Sequence, residues 1–514
     1  MKTILLTLVL AASPEAQRWW SHVEYMADDE REGRNTGSVG HRQSCEYVAQ
    51  EYERIGLQPG GTQGYFQNAK FAVRKIEESR SSLALKRDGQ ATRLTLGEEA
   101  YFSARTNLSP AMEAKMVFVG YGLVVPEYQW DDLAGLDLKG KVVVFVAGGP
   151  KKIPAAVKSH YQSVPERWKA LERAGAVGVA TFSTTSDIPW ERAKLARLAP
   201  AMVLADAKMQ DARTQRMSLT INPVHLDKFF AGSGHTTAEI LKLVKEDALL
   251  PKFELKPALV ARTALGKWAV TSQNVIGFVP GTDPQLKNEV LVLSAHIDHL
   301  GVGEPVKGDK IYNGAMDNAI GVATLIEVAR ELKAKPLKRS VAFAAVTGEE
   351  KGLLGSRFLA HQPSLRGMKM VGDINLDMYL PLYPLKTMRV LGLDESTMGA
   401  LVRETAAARG VEVQGDLQPE RNSFVRSDQY SFIKQGIPAV NLGFGAKPDT
   451  AEAKVRAEWL KERYHAPSDD LQQPVDKEAA VEFNRLLTDL IERVANAGES
   501  PRWLESSFFR RFAR

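Results

Sequence analysis

From about Trp268 onward, short apolar runs alternate with helix-patterned segments, and this alternation restricts the fold more than any other feature of the chain. Residues 289–295, 340–347, 370–377 and 437–442 read as strands, mostly apolar and rich in β-branched side chains. Between them, residues 319–332 read as a helix with Ala319, Val322, Ala323, Ile326 and Ala329 on one face. Lys333 and Lys335 suit the negative end of its dipole, and Pro336 stops it. Residues 427–435 form a further helix, closed by Gly436. Near-continuous apolar strands are buried on both faces, so the pattern predicts an α/β fold: a mixed, largely parallel central sheet flanked by helices. In such sheets chemistry gathers at the carboxyl ends of the strands.

The chain has 514 residues, too many for that sheet alone. Residues 111–255 read as a separate, β-rich insert. Met116-Val117-Phe118-Val119, Val142-Val143-Val144-Phe145-Val146 and Val177-Gly178-Val179-Ala180-Thr181-Phe182 are strand-like, and the histidines His160, His225 and His235 are scattered. The sheet domain is then split into residues 15–110 and 256–500, with a tail at 501–514. Residues 41–55 predict a helix closed by Gly56. Lys2, the apolar run Ile4-Leu5-Leu6-Thr7-Leu8-Val9-Leu10 and the small residues Ala11-Ala12-Ser13 read as a signal peptide over residues 1–14, hence a periplasmic or secreted protein. The single cysteine, Cys45, excludes an internal disulfide framework and any multi-cysteine metal module; on its helix it reads as a packing residue. The net charge of +5 is spread along the chain and gives nucleic-acid binding no support, and no run of about 18 apolar residues suggests a membrane span.

Imidazoles and carboxylates fall where the predicted strands end. His296-Ile297-Asp298-His299 follows residues 289–295, Glu349-Glu350 follows 340–347, and Asp377 ends 370–377. Asp317-Asn318 opens the long helix, and His465 lies in Tyr464-His465-Ala466-Pro467-Ser468-Asp469. Singly, each has an ordinary explanation: a helix cap, a solvated acid pair, a structural histidine. Together they concentrate like charges beside buried strands, which is costly without a compensating cation. Mixed imidazole and carboxylate donors without thiolate suit Zn²⁺ or a similar divalent ion. The set is too large for one tetrahedral ion that keeps an open position, and it suits two ions sharing a carboxylate.

The ordered set resembles the M28 family of co-catalytic zinc exopeptidases. The surrounding words agree: Asn274-Val275-Ile276-Gly277, His299-Leu300-Gly301, Asn313-Gly314-Ala315, Asn375-Leu376-Asp377-Met378 and Arg426-Ser427-Asp428, with Glu32-Gly33-Arg34 in the N-terminal stretch. Gly120-Tyr121-Gly122 and Asp137-Leu138-Lys139-Gly140-Lys141 resemble the protease-associated domain inserted in many secreted members. The resemblance implies two Zn²⁺ ions, with His296 and Asp377 on one, Glu350 and His465 on the other, and Asp317 between them. It implies Glu349 as the general base, Asp298 as the partner that orients the His296 ring, and a cis bond at Asp317-Asn318. A peptide is the implied substrate, and an aminopeptidase the leading activity.

The sequence departs from the family in two places. A bulky stretch, Tyr379-Leu380-Pro381-Leu382-Tyr383-Pro384, follows Asp377, and is read as core packing or as a pocket wall. Ser427-Asp428-Gln429 stands where many relatives have Ser-Asp-His, leaving Tyr379 and Tyr464 as candidate oxyanion donors. A carboxypeptidase or dipeptidase on the same site would need a cation for a free carboxylate, for which Arg421 and Arg426 are candidates. A non-catalytic, receptor-like relative would be expected to lose ligands, and none of the set is missing. No Gly-x-Ser-x-Gly elbow supports a serine hydrolase. Oligomeric state is not legible.

Overall fold

The computed structural model describes residues 12–184, 189–421 and 423–513. Most of the signal-like segment therefore lies outside the described residues. The chain divides into two compact units, one built from residues up to Ala69 and from Thr271 onward, the other Lys70–Val270.

The first unit is the expected α/β domain. Its strands are β1 (Leu265–Val279, which enters from the other unit), β2 (Glu289–His296), β3 (Ser340–Val346), β4 (Lys369–Leu376), β5 (Thr387–Leu391), β6 (Glu412–Gln414) and β7 (Ala439–Phe444). They lie in the order β1-β3-β2-β4-β7-β5-β6. The central four, β3, β2, β4 and β7, are parallel, while β1 and β5 pair antiparallel at the flanks. Every residue of β3 is buried, as is every residue of β2 after Glu289, which is why both read as unbroken apolar runs. At roughly 1.5–3 kcal/mol for each fully buried aliphatic side chain, Val290, Leu291, Val292 and Leu293, all at most 1% exposed, fix the position of β2.

Helices α1 (Pro14–Ala27), α2 (Val39–Ile55), α3 (Ile320–Lys333) and α4 (Lys477–Asn496) pack into one core cluster with the sheet. Helix α1 starts where Ser13 accepts the Ala16 N–H, and α2 ends at Gly56, whose φ of 82° suits a residue without Cβ. Cys45 on α2 is fully buried, as expected of a packing residue, with His41 one turn away and its ring 3.6 Å from the sulfur. Among the described residues, no helix is long and apolar enough to cross a membrane.

The second unit begins and ends outside the 111–255 range expected from sequence. Ser82–Arg87 and Gln90–Leu94 lie before that range, yet Ser82–Arg87 pairs with Ala258–Arg262, which also pairs with Ala111–Ala114. This antiparallel four-stranded sheet stands beside a six-stranded one, whose strands Met116–Phe118, Val142–Val146, Gly178–Phe182 and Ser218–Ile221 are parallel. The unit also holds helices, including Val164–Arg173 and Thr237–Lys245. Ala201–Leu204 pairs antiparallel with Phe66–Ile76.

Candidate active site

The register of the parallel strands builds the site. His296 lies opposite Val346, and Ala295 opposite Leu376. His296 at the end of β2, Glu349-Glu350 beyond β3 and Asp377 just beyond β4 therefore emerge along one edge. Gly348, at φ 69°, turns the chain after β3. Asp317 comes from the irregular turn Ala315–Ala319 before α3, where the Asp317-Asn318 bond is cis, as the resemblance implied. His465 comes from the loop before α4, with a left-handed backbone at φ 53° that a non-glycine residue seldom adopts.

All five expected ligands converge. His296 Nε2 lies 3.2 Å from Asp317 Oδ1 and 3.4 Å from Asp377 Oδ1. His465 Nε2 lies 3.3 Å from Asp317 Oδ2 and 3.5 Å from Glu350 Oε2. Asp317 thus offers one oxygen to each histidine. A tetrahedral ion with nitrogen and oxygen ligands at about 2.0–2.2 Å sets its ligand atoms about 3.3–3.6 Å apart. The four separations sit at or just under that range, so the donors fit two cations with Asp317 shared.

The electrostatics agree. Burial opposes ionisation of Asp317, but the surrounding His299, His296 and His465 hold its carboxyl well below the usual range. Burial would lower the histidines, yet Glu350 and Asp317 raise His465 to about 10, and Asp317 and Asp377 raise His296 well above its ordinary value. Glu349 behaves differently. Burial, with Asp377, Glu350 and Asp428 nearby, pushes its carboxyl well up against the pull of His296. Glu349, unlike Asp317, Asp377 and Glu350, is not among the acids grouped with a histidine at the site.

Asp298 is placed differently from expectation. The His296 ring is held through Nδ1, 3.0 Å from the backbone carbonyl of Asp298 and not from its carboxylate. The carboxylate accepts the Thr36 hydroxyl at 2.8 Å and the Glu349 backbone N–H at 3.1 Å. It therefore orients the segment carrying Glu349. Among the candidate oxyanion donors, Tyr379 is fully buried, hydrogen-bonded to Thr324 and stacked on Phe483 at 4.5 Å, so it belongs to the core. Tyr464 is 37% exposed and stacks on His465 at 3.9 Å. Gln429 is buried and, with Ser427, accepts from the Asn375 amide beneath the site. Arg421 and Arg426 are exposed.

Four residues that carry the site were given no role from sequence. The Asp469 carboxylate accepts the Met316 and Asp317 N–H groups at 2.8 and 3.0 Å, tying the His465 loop to the Asp317 backbone. Asn318 donates to the Leu376 carbonyl at 2.8 Å, beside Asp377. Arg34, fully buried, donates to the carbonyls of Met26, Ile297, Asn313 and Gly314. The ring of His299 is buried 2.9 Å from Glu350. Asp469 and Arg34 stood inside motifs already singled out, but a carboxylate or guanidinium that serves backbone groups leaves no spacing signature.

Residues 274–491 match the model of peptidase family M28. The matched span includes every expected ligand, Glu349 and Asp469. The chain is 26% identical over 238 residues to aminopeptidase YwaD of Bacillus subtilis, covering 46% of this chain and 47% of that one. It is 25% identical over 246 residues to a probable leucine aminopeptidase 2 of Aspergillus fumigatus, covering 45% and 46%. The match thus spans about half the length of these curated relatives. A solved aminopeptidase from Aneurinibacillus sp. strain AM-1 shares the fold with a TM-score of 0.54 at 19% identity, over 94% of this chain and 95% of that one.

Proposed function

We propose that the chain is a zinc-dependent aminopeptidase that removes residues from the N-termini of peptides, with a pair of zinc ions held by His296, Asp377, Glu350, His465 and the shared Asp317. The observation that carries this reading is the split of Asp317, one carboxylate oxygen to each of two histidine–carboxylate pairs. The donor set contains only imidazole and carboxylate, which suits zinc and leaves coordination open for substrate. When bound, a zinc pair polarises the scissile carbonyl and acidifies a water near neutrality.

The protein's own groups supply the proton traffic. Among the described residues no ion pair holds the Glu349 carboxylate, and its backbone N–H is held by Asp298. It takes the proton of the attacking water and returns it to the departing amine. Its raised pKa is a consequence of burial among acids; positive charge in the pocket moves it back toward ionisation, as a base requires. Tyr464, exposed and stacked on His465, is the candidate donor to the developing oxyanion. The relatives' names, aminopeptidase and leucine aminopeptidase, support the amino-terminal reading. The test is a panel of aminoacyl-anilides against N-blocked peptides with a free carboxylate, assayed with zinc-loaded protein. Turnover of the anilides alone supports the proposal, and turnover of the N-blocked peptides alone rejects it in favour of a carboxypeptidase.

A further inference from the structure

His299 has no role in the ligand set, yet it faces that set from within the core. It is 0% exposed, and Gly314 packs so closely on its ring that a Cβ there would lie 2.5 Å from it. Its Nδ1 lies 2.9 Å from Glu350 Oε1, the oxygen turned away from His465, and 3.8 Å from Asp317 Oδ2. Neither ring nitrogen of His299 nor Glu350 Oε1 finds a well-directed hydrogen bond among the described residues. Buried polar groups left in that state are costly, and these two lie within reach of each other.

Two roles fit such a histidine: a further ligand, or a group that holds Glu350. Its nitrogen and the Asp317 and Glu350 oxygens all lie within 4.8 Å of one another, so the first is sterically open. The separations decide against it. Ligand atoms around a tetrahedral ion lie about 3.3–3.6 Å apart, and the four accepted contacts span 3.2–3.5 Å. His299 departs in both directions, at 2.9 Å from one oxygen and 3.8 Å from the other. The shorter value is that of an N–H···O hydrogen bond. A small rotation of ring or carboxylate aligns the pair.

We propose that His299 is a positioning residue, donating its Nδ1–H to Glu350 Oε1 so that Oε2 is presented to the cation beside His465. The inference rests on the zinc reading above. It makes the two halves of the site unequal: His296 is oriented by a backbone carbonyl, whereas Glu350 is oriented by a side chain that mutation can remove. Such outer partners are worth about 10–100-fold in metal affinity.

The full chain, stripped of metal, is titrated with Zn²⁺ against a chromophoric chelator. The wild type takes up two equivalents. His299→Leu weakens one of them at least tenfold, the same one that His465→Leu removes, and leaves the other unchanged. His299→Asn, whose amide N–H stands near the position of Nδ1, restores affinity to within about threefold of wild type. Zinc X-ray absorption of the loaded wild type counts two imidazoles over the two ions. Wild-type affinities in His299→Leu overturn the proposal, reducing His299 to packing. Three imidazoles over two ions, or a tenfold loss in His299→Asn, also overturn it, making the ring a ligand. If His299→Leu does not fold, the asparagine variant and the absorption spectrum decide by the same criteria. A wild type that takes up no zinc pair fails the zinc reading itself, which separates that failure from one confined to His299.

Discussion

Each unit holds a sheet with a parallel core, and among the described residues only the first unit's core ends in a cluster of histidines and acids. In the first unit, β2, β3 and β4 finish at His296, Thr347-Gly348-Glu349-Glu350 and Asp377. In the second, Val142–Val146 runs into Ala147-Gly148-Gly149-Pro150, Gly178–Phe182 into Ser183-Thr184, and Ser218–Ile221 into Asn222-Pro223. Val142–Val146 is as apolar and buried as the first unit's strands, while Gly178–Phe182 and Ser218–Ile221 are buried at alternate positions. The histidines differ in the same way: His296, His299 and His465 crowd around Asp317, while His160 lies 3.9 Å from Glu166 on the next helix and His235 lies 3.0 Å from Glu239. A parallel sheet with crossover helices is a scaffold, and the groups at its strand ends make it a site.

The comparison breaks most sharply at the shared ligand and the base. Asp317→Asn should lose both zinc equivalents by elemental analysis, with activity at background. Glu349→Ala should keep both and lose about 10²–10⁴-fold in kcat; near-normal turnover would show that the proton passes elsewhere. A middle-sized effect is expected at Asp469, where Asp469→Ala removes the acceptor of the Met316 and Asp317 backbone N–H groups. It should lower zinc affinity about 10–100-fold, while the control His160→Gln in the second unit leaves it unchanged. Leu219→Ala, at 1% exposure in the second unit's sheet, should cost about 2–5 kcal/mol of stability with zinc content intact. Loss of zinc there would erase the distinction between the sheets.

The smallest effects are those of pH. In the metal-free site His465 holds its proton up to about 10. A cation must displace protons from the histidines, so zinc affinity should rise with pH through neutrality, and titration in buffers of different ionisation enthalpy should show proton release. No release would contradict the histidine ligands. His41 has the opposite sign. Burial, with Arg34 nearby, lowers it to about 3, below its unfolded value of about 6.5. Its neutral form therefore contributes stability that is present above about 6.5 and fades as pH falls toward 3. His41→Asn should flatten that part of an acid-unfolding curve.

Much of this was legible in the sequence for a physical reason. Strands buried on both faces must be apolar throughout, so residues 290–295 and 341–346 announce themselves, and acids at their ends are too costly to be incidental. The rest depended on which atom does the work. Asp298 stands close to His296 in the sequence, but its carbonyl serves His296 and its carboxylate serves the Glu349 backbone. Arg34 and Asp469 act on backbone groups, which have no residue code. The start of the second unit was hidden because Ser82–Arg87 is half-exposed and finds its partner, Ala258–Arg262, far along the chain.

Diffraction from crystals of the zinc-loaded protein, recorded at the zinc absorption edge, tests the convergence of these side chains most directly. Two anomalous peaks about 3.5–4 Å apart, one by His296 and Asp377 and one by His465 and Glu350, with Asp317 between them, are the expected result. A single peak, or peaks away from Asp317, would contradict the account.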